Sequence, residues 1–226
     1  MPDAGQLLEH LGNSQALQNL SPPLQTALFL GALTLLPAAL VSLTAYTRIV
    51  IVLSFLRRAV TAQEIPPNMV TVGLALFLTF FVMGPTFEEI AAQAVNPYLD
   101  GQINGPEALG KGAVALHKFM LRQTRRQDLA LFLHLGRVSN VHEPGETPFR
   151  VLVPAFLISE LKTAFIMGFS LYLPFLIVDL VVASVLTSMG MVMMPPVVIS
   201  APFKILLFVL ADGWHLVARA LSLSFH

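Results

Sequence analysis

The side chains that usually carry chemistry are sparse in this chain and poorly spaced for it. His142-Glu143 is followed by Pro-Gly, which breaks the helix that a zinc protease needs, and neither G-x-S-x-G nor G-x-x-x-x-G-K-[ST] occurs. The six histidines are dispersed; His117, His134 and His142 are the three to weigh as shared metal ligands, and solvated or locally bonded rings are the simpler reading. With no cysteine, disulfides and thiolate metal sites are excluded. The residues therefore point to no catalytic, cofactor or metal site. The one dense cluster is SMGMVMMPPVVIS, Ser188 to Ser200, where Met189, Met191, Met193 and Met194 crowd together behind Gly190 and ahead of Pro195-Pro196. Thioether side chains are unbranched, polarizable and adaptable, so what they offer is soft packing rather than bond making. Two uses stand open: filling gaps in a core, or projecting toward a pore axis where copies from several subunits close around whatever passes.

The elements around the cluster belong to a membrane protein or part of one. Of 226 residues, 55% are hydrophobic and 12% charged, against about 25% charged in an ordinary soluble domain. Thirteen Lys and Arg balance thirteen Asp and Glu, which gives no reason to expect nucleic acid or a strongly acidic substrate. The first Lys or Arg is Arg48, behind the first long apolar run, so no cleavable signal peptide is visible.

Residues 1–23 read as a polar N-terminal arm closed by Pro22-Pro23. Residues 24–87 read as a first pair of apolar helices. Ala27 to Tyr46 carries no charge over a length able to cross ~30 Å of hydrocarbon, with Pro37 as a kink and the helix running on past Arg48 to Leu56. Met69 to Phe87 forms the second. Short Arg-rich connections such as the one opened by Arg57 and Arg58 stay cytoplasmic, which places the N-terminus and the region after Phe87 outside. Residues 88–150, with seven acidic and seven basic side chains, read as a helical extracytoplasmic insert. Leu109, Ala113, Leu116 and Met120 recur at helical spacing, with Pro106 in the first turn, Gly136 at the end and a break near Asp128. Arg122, Arg125 and Arg126 are expected on one helical face, solvated or turned to an acidic partner or lipid head groups.

Residues 151–226 read as C-terminal apolar hairpins carrying the methionine loop. Between 151 and 211 the charges are Glu160, Lys162, Asp179 and Lys204, and the uncharged intervals 163–178 and 180–203 predict two further spans. Gly190, Pro195 and Pro196 fall near the middle of the second interval, where each proline removes a backbone hydrogen bond at ~3 kcal/mol, so a break is expected. The flanking arms, Asp179 to Met189 and Val197 to Lys204, would be about 16 and 12 Å long at ~1.5 Å per residue, too short to cross a bilayer. Irregular backbone at membrane depth must face protein or an aqueous path. Asp179 and Lys204 would lie level on the two arms and pair, lessening the cost of each charge. Glu160 and Lys162, two apart, project from different sides of a helix and need separate partners; functional pairing and bonding between subunits both remain open.

In this order, VPAFLISELKTAF, YLPFLIVDLVVASVL, GMVMMPP and SAPFKILLFVLADGW resemble the FliP family of flagellar protein-export components. SFLRRAVTAQEIPPNMVTVGLALFLTFFVMGP and KFMLRQTRRQDLALF extend the resemblance over most of residues 30–225. It implies an all-α, membrane-associated subunit of a type III export gate in the bacterial inner membrane, within the flagellar basal body, much of it on the outer side. About five copies would join FliQ- and FliR-like subunits, beside FlhA- and FlhB-like export components and membrane lipid, in a helical channel for unfolded flagellar protein. The apparent spans need not then cross lipid one by one. Carried onto this chain, the pore gasket is Met191, Val192, Met193 and Met194. The family usually has methionine at position 192, and valine there is stiffer at χ1. Many members carry a cleaved signal peptide, from which this sequence departs. SctR subunits of virulence-type injection systems are similar, but Pro195-Pro196 and RQTRRQDLALF resemble the flagellar branch. A small-solute channel with Asp179 or Glu160 on the ion path is the rival reading.

Overall fold

A computed structural model describes residues 21–60, 66–138, 144–191 and 193–225. Most of the expected N-terminal arm, His142 and Val192 lie outside the described residues. All regular structure among those described is helical, as composition and periodicity predict. The helices are α1 (Pro22–Leu43), α2 (Tyr46–Val60), α3 (Asn68–Ile90), α4 (Asn96–Leu99), α5 (Gly105–Gln123), α6 (Arg126–Leu135), α7 (Phe149–Ser188), α8 (Pro196–Leu210) and α9 (Gly213–Leu223).

The first helix does not run on to Leu56. It stops at Leu43, where Thr44 turns extended (φ −123°, ψ 177°) and its hydroxyl donates back to the Leu40 carbonyl. Threonine offers the backbone that alternative readily, and α2 restarts two residues later with Arg48 buried. The second apolar segment also exceeds its expected end. From α3 the chain passes without interruption through a π-helical turn, Ala91–Val95, into α4. The Asn96 amide there reaches five residues back to the Ala91 carbonyl. Glu88 and Glu89 continue the helix, as glutamate readily does, and Lys118 of α5 pairs with Glu89 at 3.0 Å.

In the insert, Asn104 caps α5 by accepting from the Glu107 amide at 2.9 Å, and Pro106 sits in the first turn. The break comes at Thr124–Arg125, both extended, rather than at Asp128. Arg122 and Arg126 consequently stand on different helices with Arg125 between them, and the three do not form one helical face. Gly136 caps α6 as expected.

The two spans predicted beyond residue 151 are laid out differently. Helix α7 runs unbroken for forty residues, about 60 Å at ~1.5 Å per residue. The upstream arm of the methionine loop is therefore the end of a long helix, not a short stub. Lys204 pairs with Asp179 within it, and the helix runs on through Gly168 and Pro174 until Gly190 ends it. Among the described residues, 68–99 and 149–188 are each long and apolar enough to cross a membrane.

The chain divides into two compact units, residues up to Thr44 with Met83–Phe156, and Ala45–Val82 with Leu157–His226. In the first, Met120 and Leu152 are fully buried, and Phe119 meets Phe156 edge-on at 6.0 Å. Nε2 of His117 lies 2.7 Å from the Thr147 carbonyl. In the second, α2 presents Ile49, Val52, Leu53, Leu56 and Ala59 inward at helical spacing. Gly168 of α7 lets α2 approach so closely that an added Cβ would lie 2.7 Å from the Phe55 ring.

Candidate functional site

The methionine loop is closed at both ends by backbone chemistry written in its sequence. Gly190 adopts the left-handed conformation, φ +76°, that costs glycine nothing. Its amide donates to the Thr187 carbonyl at 3.0 Å, and the Met191 amide reaches back to Leu186 at 2.9 Å. These two bonds make a Schellman termination, which satisfies the last carbonyls of α7. At the far end Pro195 is extended and Pro196 occupies the first turn of α8, where a missing amide costs nothing. The segment between cannot continue either helix.

The described methionines of this segment face outward. Met193 is 99% exposed and Met189 68%, while Met191 and Met194 are near 40%. None of the four belongs to the buried core of the described residues. Val192 lies outside the described residues.

Below the loop, the two arms are joined by charge. Asp179 stands nine residues before the end of α7 and Lys204 eight after the start of α8, so an antiparallel turn brings them level. Lys204 Nζ donates to Asp179 Oδ2 at 2.6 Å, and the Ser200 hydroxyl donates to Asp179 Oδ1. The lysine side chain is 4% exposed and the aspartate 23%, which makes the lysine the more dependent partner. Phe175 and Phe208 meet across the same arms at 6.4 Å. Between the arms lies an open apolar cavity of about 610 Å³, with Val181, Val185, Phe203 and Leu207 among its walls.

Glu160 finds its own partner in Arg48. The guanidinium donates from Nε to Glu160 Oε2 at 2.9 Å and from Nη2 to Oε1, with both side chains essentially fully buried. Nη1 donates to the Ser224 carbonyl at 2.7 Å and to its hydroxyl at 3.0 Å, and the Phe225 ring lies 3.8 Å from the guanidinium carbon. Lys162 is exposed and takes part in no ion pair found among the described residues. Sequence reasoning singled out neither Arg48 nor Ser200 as a partner. The available signal was Arg48 itself, a lone cation between uncharged runs and so in need of an equally isolated anion.

Among the described residues no group of His, Asp or Glu could hold a metal ion. The arrangement offers a fixed loop of soft, exposed apolar side chains on two helices held by internal salt bridges. Comparison with known proteins places this chain in a family. Residues 29–221 match the model of the FliP family. The chain is 50% identical over 208 residues to the flagellar biosynthetic protein FliP of Bacillus subtilis, covering 92% of this chain and 94% of that one. It is 52% identical over 202 residues to the protein of the same name from Pectobacterium carotovorum, covering 89% and 78%. With its counterpart from Buchnera aphidicola of Acyrthosiphon pisum the identity is 51% over 209 residues, spanning 92% of this chain and about half, 55%, of the relative. The match runs through the helices and the methionine loop alike, and the chain belongs to the FliP family.

Proposed function

We propose that the protein is a pore-forming component of the flagellar type III export gate, which helps carry unfolded flagellar subunits across the bacterial inner membrane. The observation that carries this reading is the outward presentation of Met191, Met193 and Met194 on a loop that neither helix can absorb. Copies of the chain, about five, arranged around an axis would bring these side chains together as a gasket. Unbranched thioethers fill irregular space and change rotamer at small cost, so such a ring excludes water and ions at rest and parts for a chain of any sequence. Gly190, Pro195 and Pro196 form the loop, and the Asp179–Lys204 and Arg48–Glu160 pairs hold the helices that present it.

The apolar cavity between α7 and α8 supports assembly with other subunits, because a single copy leaves it open. FliQ- and FliR-like subunits and further copies are the proposed occupants of such surfaces, with FlhA- and FlhB-like components supplying the rest of the machine. The relatives from Bacillus, Pectobacterium and Buchnera are flagellar biosynthetic proteins, which favours the flagellum over an injection system. The role is one of transport rather than catalysis.

The test is conductance. Ala at Met191, Met193 and Met194 together should raise resting ion leak through the gate in lipid before export falls. Unchanged conductance with reduced export would rule the gasket out and leave a purely structural role in building the apparatus.

A further inference from the structure

The second unit contains a cleft unrelated to the methionine loop. Helices α2, α3, α8 and α9 enclose a cavity of about 210 Å³ walled by Leu53, Leu56, Val70 and Leu74 and by Trp214, with Arg57 as its one charged residue. A neighbouring cavity of about 240 Å³ shares Leu53, Leu74 and Trp214 with it, so the two adjoin along one apolar trough. No ion pair found among the described residues uses Arg57. Trp214 is half-exposed and stands edge-on to Phe208 at 5.3 Å.

These features define the chemistry of an occupant. Apolar walls of this extent do not hold water well, since a buried water needs two or more polar partners. A guanidinium beside an apolar surface needs an anion. A free phosphate would satisfy Arg57 and leave the trough empty, whereas a neutral amphiphile would fill the trough and leave Arg57 without a counter-ion. An acyl chain ending in a phosphate does both. Tryptophan favours the level of lipid head groups. The Arg57-Arg58 connection marks this end of the helices as cytoplasmic, and that leaflet is the one rich in anionic lipid. We propose that the trough binds one anionic phospholipid, with an acyl chain along Leu53 and Leu74 and its phosphate on Arg57. The inference rests on the inner-membrane placement in the proposed function but not on the gasket.

Native mass spectrometry of the full-length chain released from detergent tests it, with dioleoyl phosphatidylglycerol, dioleoyl phosphatidylcholine and inorganic phosphate as separate additions. Phosphatidylglycerol should be retained in preference to phosphatidylcholine. Arg57→Gln should weaken that retention about fivefold, while Arg58→Gln, at an exposed residue outside the cavity wall, leaves it unchanged. Leu74→Trp, which fills the trough without touching the charge, should weaken it as well, and a thermal melt of each variant confirms the fold. Equal retention of the two lipids, equal loss in Arg57→Gln and Arg58→Gln, or full displacement by inorganic phosphate would each overturn the proposal. The conductance of the gate is measured separately, so either reading can fail while the other stands.

Discussion

Removing Arg48 alone should be far more damaging than removing Arg48 and Glu160 together. The pair is shielded from water, with side-chain exposures of 2% and 0%. Arg48→Met strands the Glu160 carboxylate among apolar neighbours, and Glu160→Leu strands the guanidinium, although Ser224 and Phe225 still engage it. Breaking a buried pair in this way costs about 3–5 kcal/mol. In a chain of this size that is a fall in melting temperature of about 6–20 °C. The Arg48→Met/Glu160→Leu double variant leaves no uncompensated charge and replaces the pair by apolar volume, so it should regain most of the loss. Thermal unfolding of the full chain in detergent, followed by circular dichroism, reads all four corners of the cycle. Single variants that melt within about 2 °C of the parent, or a double variant as damaged as the sum of the singles, would refute the argument that burial makes each charge depend on the other.

The Asp179–Lys204 bond should behave asymmetrically: Asp179→Asn, which strands the more buried lysine, should lower the yield of assembled complex more than Lys204→Met, and the exchange Asp179→Lys/Lys204→Asp should recover part of it. Size-exclusion profiles of the purified assembly distinguish these outcomes. At the α8–α9 turn, Asp212 is left-handed and a Cβ on Gly213 would fall 2.1 Å from the Phe208 ring. Gly213→Ala should therefore cost about 1–3 kcal/mol by overpacking, and adding Phe208→Leu should relieve it, as melting temperatures of the two variants would show.

The helical class, the membrane character and the break in the methionine segment were legible because each rests on short-range rules: uncharged length, a left-handed glycine, two successive prolines. Asp179 with Lys204 was legible for the same reason, since equal spacing from one break sets the register. What lay beyond the sequence were pairings without such a ruler. Arg48 and Glu160 are 112 residues apart, and nothing local says that α2 packs on α7. Two helix ends also differ from what uncharged length predicts. Helix α1 ends at Thr44 inside an uncharged run, and α3 continues past Phe87 through two glutamates, which are good helix formers. The direction in which the methionines point is a tertiary property, and nothing in their spacing sets the 99% exposure of Met193.

The π-helical turn at Ala91–Val95 loosens the tie between residue number and angle. One peptide more than a regular turn requires is looped into that stretch. Because the π turn winds that extra peptide into nearly the rotation of an α turn, deleting a single residue there would restore an ordinary spiral and leave Tyr98 beside Gly105, whose Cβ position it approaches to 3.9 Å. The turn can therefore absorb the loss of one residue, whereas the same deletion in the α-helical flanks would rotate everything downstream by about 100°.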